Sequence, residues 1–106
     1  AGLPDIGTIF PDNSDEFKNI SSSILLSRAA SLVSESGYKI INIDATIIAQ
    51  TPKLAPYIAD MREAVASAAG ISPRDVNIKA TTEEGLGFTG ARLGIAAHAV
   101  CLIESL

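Results

Sequence analysis

From Ser22 onward the apolar residues Leu25, Ala29, Leu32 and Val33 recur at helical spacing, and Gly37 supplies a stop. Ser22 or Ser23 can cap this helix, because a serine hydroxyl accepts from the free N–H groups of a first turn. The rhythm then changes. In YKIINIDATIIA, Ile41, Ile43, Ala45 and Ile47 alternate with Asn42, Asp44, Thr46 and Ile48, which predicts a strand with a polar stripe on one side. The two prolines between Gln50 and Pro56 force an irregular connection. A second helix follows from about Tyr57 to Ala69, with Ile58, Met61, Val65 and Ala68 on one face and Gly70 at its end. DVNIKA is a short strand, TTEEGLGFTG is a glycine-punctuated loop, and LGIAAHAVCLI fits helix or strand by periodicity alone. Upstream, Pro4 to Asn19 has turn chemistry. It reads as an ordered loop, because Ile6, Ile9, Phe10 and Phe17 would be wasted in a mobile one.

Elements that alternate in this way argue an α/β or α+β sandwich with one layer of helices. Three candidate strands make a small sheet that buries little. Extra strands or an oligomeric partner are therefore expected.

A length of 106 residues suits one domain, and 47% apolar with 19% charged residues is the composition of an ordinary globular protein. No apolar run approaches the roughly 20 residues that cross a bilayer. The opening AGLPDIG lacks the basic and apolar regions of a secretory signal. A net charge of −4 without a basic stripe argues against a general nucleic-acid binder. A small phosphorylated ligand stays open, since one or two placed cations suffice for it. Cys101 is alone, so no disulfide forms within the chain, and its apolar neighbours in AVCLI suggest a buried, inert thiol in a reducing compartment. One cysteine and one histidine cannot build a self-contained zinc cluster.

Four places carry candidate chemistry. In Thr51–Pro52–Lys53 the proline fixes the backbone and the lysine follows a strand end, where ligand loops of α/β proteins lie; a solvated lysine is the plainer alternative. In KATTEEGLGFTG, Thr81 and Thr82 offer hydroxyl and N–H donors for a phosphate. Glu84 could hold Mg²⁺ between phosphates, and Gly85, Gly87 and Gly90 permit close backbone approach. The alternative there is a flexible surface loop. Asp5 and Asp12, around PDIG and FPD, could bind the hydroxyls of a polyol or simply cap a turn. His98, among small apolar residues, reads as a core or interface histidine rather than a ligand.

Taken in order, PDIGTIFPD, FK, GYKIINIDATIIAQTPKL, MR, DVNIKATTEEGLGFTG and GIAAHAV resemble the 2-C-methyl-D-erythritol 2,4-cyclodiphosphate synthase family, from about Pro4 to Ile103. The resemblance implies an α+β fold: a mixed β-sheet under a layer of helices, in the manner of chorismate-mutase-like or ferredoxin-like two-layer sandwiches, assembled as a homotrimer with shared sites. It implies conversion of 4-diphosphocytidyl-2-C-methyl-D-erythritol 2-phosphate to the cyclic diphosphate with release of CMP, a step of non-mevalonate isoprenoid biosynthesis. The substrate's own phosphate is the nucleophile, so the protein positions groups and neutralises charge. The implied cofactors are Zn²⁺ and a second divalent ion, Mg²⁺ or Mn²⁺. The implied setting is the bacterial cytoplasm or a plastid-type organelle, with no nucleic-acid or membrane partner.

By position, Asp5, Ile6 and Gly7 match the segment that holds the methylerythritol moiety, and Phe10, Pro11 and Asp12 match the same wall. Ala49, Pro52, Lys53 and Leu54 match the cytidine pocket. Ala80, Thr81 and Thr82 match the phosphate strip, with Lys53 and Thr82 as the implied catalytic groups. Glu84 matches the ligand of the second metal, and Phe88 matches an aromatic beside the substrate. The resemblance also makes the last segment a strand.

Departures stand at Glu83 in place of a third threonine and at Gly85 in place of lysine. Ala91 takes the place of arginine, with Arg92 one position late, and Leu93 replaces an acidic residue. Family members also carry an N-terminal strand with an Asp-x-His pair and a further histidine, and these hold the zinc. The 106 residues contain no such segment, and His98 cannot replace it. The expectation is one domain over 1–106, about two-thirds of a synthase domain, from a longer active protein. By itself it should keep most of a nucleotide pocket and be inactive. A truncated, non-catalytic trimeric cytidine-nucleotide-binding module is the alternative, and a purely structural trimeric domain is a third reading.

Overall fold

The structure, a computed structural model, describes all 106 residues, Ala1–Leu106. Its centre is β1 (Tyr38–Ile48), whose β-branched, alternating sequence suits a pleated surface half covered by other groups. β1 pairs in parallel with β2 (Val76–Thr81), from Ile43 opposite Val76 to Ile48 opposite Thr81. On its other side it pairs antiparallel with β3 (Ala96–Ser105), from Tyr38 opposite Ser105 to Ile48 opposite Ala96, with a register shift between Ile40 and Asn42. The result is a three-stranded mixed sheet in the order β2-β1-β3. The final segment is thus a strand, as the resemblance implied.

Four helices complete the fold. The shortest, α1 (Ile6–Ile9), interrupts what reads in sequence as a plain loop. α2 (Ser22–Glu35) is capped by Ser21, whose hydroxyl accepts from the Ser23 N–H at 3.3 Å. The cap therefore falls one residue before the expected Ser22 or Ser23; in a run of three serines, only backbone geometry decides which one stays extended. α3 (Ile58–Ala69) follows a single 3₁₀ turn at Ala55–Tyr57 and ends at Gly70, whose φ of 74° is the left-handed value that glycine adopts without penalty. The fourth, α4 (Gly87–Gly90), is one turn within the glycine-rich loop.

The core lies between α3 and the β1–β2 pair. Ala66, Val76 and Ile78 are buried, and Ile43, Ala45, Ile47, Ile58, Met61, Val65 and Ile71 pack around them. Arg62 ties this layer to the sheet: its Nε donates to the Val76 carbonyl and its Nη2 to the Pro73 carbonyl, each at 3.0 Å. These bonds satisfy carbonyls where β2 begins, in a partly buried place where leaving them unpaired would be costly.

The opposite face of the sheet has no covering layer. Asp44, Thr46, Asn77, Lys79, His98 and Val100 share it by register. Asp44 accepts from Lys79 and, at 3.4 Å, from Asn77. Val100 and Leu102 of β3 are 70% and 57% exposed, and Leu93 before the strand is 80% exposed. Val100 and Leu102, two residues apart on one strand, stand on the same open face. Cys101 is exposed as well, not buried. Apolar neighbours along a strand do not reveal whether a second layer lies over it, and over β3 none does. His98 is likewise outside the core of this chain.

Candidate nucleotide-binding site

β1 and β2 run in parallel and end at the same height. One further backbone bond, from Ala49 N–H to the Thr81 carbonyl at 3.0 Å, carries the pairing past the last strand residue. The chain then turns away on both strands, and the two turns enclose a hollow. Ala49, Gln50, Pro52, Lys53, Leu54, Ala55, Ala80, Thr81 and Thr82 line this cavity, of about 200 Å³. A site outside the carboxyl ends of adjacent strands is where open α/β sheets commonly take ligands.

The TPK turn contains a cis Thr51–Pro52 peptide, and Lys53 is exposed and free of any ion pair. Opposite it, the Thr82 Oγ1 accepts from the Glu84 N–H at 3.2 Å, and the Thr81 hydroxyl donates to the Thr82 carbonyl at 3.3 Å. Glu84 has a φ of 53° and Gly85 a φ of 82°, so the turn passes through two left-handed residues in succession. For Glu84 that conformation costs about 1 kcal/mol or more, and surrounding contacts must hold it. One such contact is the Gln50 Oε1, which accepts from the Gly85 N–H at 3.2 Å across 35 positions of sequence. Gly90 is another constraint: a Cβ there would collide with the Gly85 backbone, so the loop closes tightly on itself.

Seven residues assigned to the cytidine and phosphate subsites (Ala49, Pro52, Lys53, Leu54, Ala80, Thr81 and Thr82) therefore line one cavity. The others do not. Phe88 lines a separate hollow with Ile48, Glu83, Leu86, Gly87, Thr89, Ala96 and His98. None of residues 5–12 lines the cavity at the strand ends. Asp5 is the N-cap of α1: its Oδ2 accepts from the Gly7 N–H at 3.0 Å and its Oδ1 from the Thr8 hydroxyl at 2.6 Å. The Thr8 hydroxyl, followed by backbone N–H groups, holds this carboxyl below its ordinary value despite some desolvation. Of the two readings open for Asp5, capping is the one visible within a single chain. Ile6, Gly7 and Asp12 are exposed, and Phe10 is buried edge-on against Phe17, with ring centroids 5.4 Å apart. Arg28 lies 5.4 Å from the Phe17 centroid and is ion-paired with Glu16 at 2.6 Å, which completes the anchor of this segment.

Gln50 escaped notice in the sequence. A polar residue between an apolar strand and a proline turn reads as linker, and its partner is visible only once the two strands are in register. No three His, Cys, Asp or Glu side chains converge to hold a metal ion, so a zinc does not fit the residues of this chain. Glu84 remains the candidate for a second divalent ion: its carboxylate is exposed, unpaired and close in sequence to Thr81 and Thr82. That suits Mg²⁺, which accepts a carboxylate together with ligand phosphate oxygens.

The fold and cavity define a small α+β protein with a hollow at the carboxyl ends of a parallel strand pair. More narrowly, the chain belongs to the YgbB family, whose sequence model matches residues 1–104. It is 59% identical over 104 residues to the 2-C-methyl-D-erythritol 2,4-cyclodiphosphate synthase of Clostridium novyi, covering 98% of this chain and 66% of that protein. Among solved structures it superposes on the bifunctional IspDF of Campylobacter jejuni with a TM-score of 0.93 and 38% identity, over 99% of this chain and 28% of that one. A Plasmodium falciparum IspF in complex with CDP superposes with a TM-score of 0.83 and 31% identity, over 98% of this chain and 62% of the other.

Proposed function

We propose that this chain carries the cytidine-nucleotide half of a 2-C-methyl-D-erythritol 2,4-cyclodiphosphate synthase site. The intact protein would convert 4-diphosphocytidyl-2-C-methyl-D-erythritol 2-phosphate to the cyclic diphosphate and release CMP. The observation that carries the reading is the single cavity shared by the Ala49–Leu54 and Ala80–Thr82 turns. The CDP complex of the Plasmodium relative supports the same ligand class.

In this reading the backbone at Ala49 to Leu54 holds the base and Lys53 draws the diphosphate by charge. Thr81 and Thr82 offer hydroxyl and N–H donors to its oxygens. Glu84 would hold Mg²⁺ or Mn²⁺ together with those oxygens, and that ion would neutralise charge as the ring closes. No step is derived through zinc.

The Asp5–Asp12 segment would serve the methylerythritol end of a site completed by a neighbouring copy. The open sheet face, with its exposed Val100 and Leu102, favours a homotrimer in the chorismate-mutase-like or ferredoxin-like style.

Calorimetric titration of this chain with CDP tests the reading. Saturable binding at one site per chain is expected, with Lys53→Ala weakening it about tenfold, a usual loss for one charge-assisted contact. Absence of CDP binding, or a silent Lys53→Ala, would overturn it.

A further inference from the structure

The two turns that make the cavity meet through one side-chain hydrogen bond, that of Gln50 with Gly85. Gln50 is half-buried, follows β1 by two residues, and lines the cavity. Its partner is a backbone N–H, which can only donate, so the carbonyl end of the amide must face Gly85. The bond falls at a consequential point, because Glu84 and Gly85 both have positive φ. The Thr82 hydroxyl holds Glu84 from within the turn, whereas Gln50 holds Gly85 from the other strand. Without it, the turn could relax out of the left-handed region, and the direction of the Glu84 carboxylate would change.

We propose that Gln50 is a positioning residue: it fixes the Glu84–Gly85 turn so that the Glu84 carboxylate meets a divalent cation on the phosphates of a bound nucleoside diphosphate. The proposal rests on the nucleotide reading of the cavity and adds a residue to it. Gln50 acts through Glu84 and touches no reacting atom.

The test compares wild type, Gln50→Ala and Gln50→Glu in two measurements. The first is amide hydrogen exchange at Gly85. Protection should fall in Gln50→Ala and persist in Gln50→Glu, which keeps an acceptor oxygen. The second is CDP affinity with Mg²⁺ and with EDTA, read as a ratio that isolates the metal's share. In wild type Mg²⁺ should raise affinity about tenfold. Gln50→Ala should reduce that gain to about twofold with little change in EDTA, and Gln50→Glu should restore it. A structural role alone would lower both affinities together, and that result overturns the proposal. So does unchanged Gly85 exchange in Gln50→Ala, or a wild-type ratio near one. Wild-type protein that binds no CDP removes the nucleotide reading itself, and the exchange result then stands by itself on the Gln50–Gly85 bond.

Discussion

The two regions proposed to meet the ligand, the paired turns Ala49–Leu54 with Ala80–Thr82 and the segment Asp5–Asp12, are held in place by different physics. The first rests on long-range register. β1 and β2 end together because Ile43, Ala45, Ile47, Val76 and Ile78 must face α3, and a slip of one residue would turn every one of them outward. The second is local. Asp5 caps its own short helix, and the segment leans on α2 through Phe10, Phe17 and Arg28. The cavity set by the core is formed within one chain. The segment set by a cap and an aromatic contact lines none of that cavity. Residues adjacent in a motif list thus need not be adjacent in one molecule.

Three measurements can break or sharpen this contrast. Ile78→Ala has the largest expected effect. It should cost about 2–5 kcal/mol of stability, seen in the urea midpoint, because its methyl groups fill a small core that cannot readily collapse. CDP affinity should fall with it, and unchanged affinity in a destabilised variant would mean that the turns do not depend on the core.

Phe10→Ala comes next. It should release residues 5–18 to amide exchange while leaving CDP affinity within about twofold, since sites without shared partners act independently. A large loss of affinity would show that the two regions are coupled within one chain.

Acid has the smallest effect. The Asp5 carboxyl is lowered in the folded chain by its Thr8 bond, so its contribution is full above the ordinary value of 3.8 and is lost as pH falls through the lowered one. The Gly7 and Thr8 amide resonances should move in that range, whereas the Ala49 amide, bonded backbone to backbone, should not follow them. Static Gly7 and Thr8 signals would remove the cap as the device that orders the segment.

Much of the scaffold was legible in the sequence. β1 announced itself because one side is covered and the other is not, which writes alternation into the chain. α2 and α3 were marked by helical spacing and by glycine stops at Gly37 and Gly70. β3 stayed ambiguous because alanines dominate its first half and neither face is buried, so no periodicity is imposed. α1 was missed because four residues held by one Asp5 cap carry no period. Cys101 was misjudged for a related reason: burial depends on what lies over a strand, which the strand's own residues do not state.

The site was legible in pieces. Composition and turn chemistry identified the Lys53 and Thr81–Thr82 loops separately. Family resemblance assigned them to the base and the phosphates of one nucleotide, and the parallel register is what brings them to one cavity. Gln50 lay beyond both, because its role exists only through a partner 35 residues away.

The shared ending of β1 and β2 also governs which changes of length this protein can absorb. The crossover between them leaves through the cavity wall, to which Ala55 belongs, but it re-enters the sheet at the far end of β2, so an insertion in the turn after α3, between Gly70 and Asp75, lies away from the cavity. Adding or deleting one residue within Ile43–Ala49 or Val76–Thr81 would rotate one wall of the cavity to the wrong side of the sheet. Divergence among relatives, and any attempt to graft this cavity onto another scaffold, should respect that division: the turn between α3 and β2 is free to vary in length, and the paired strand ends are not.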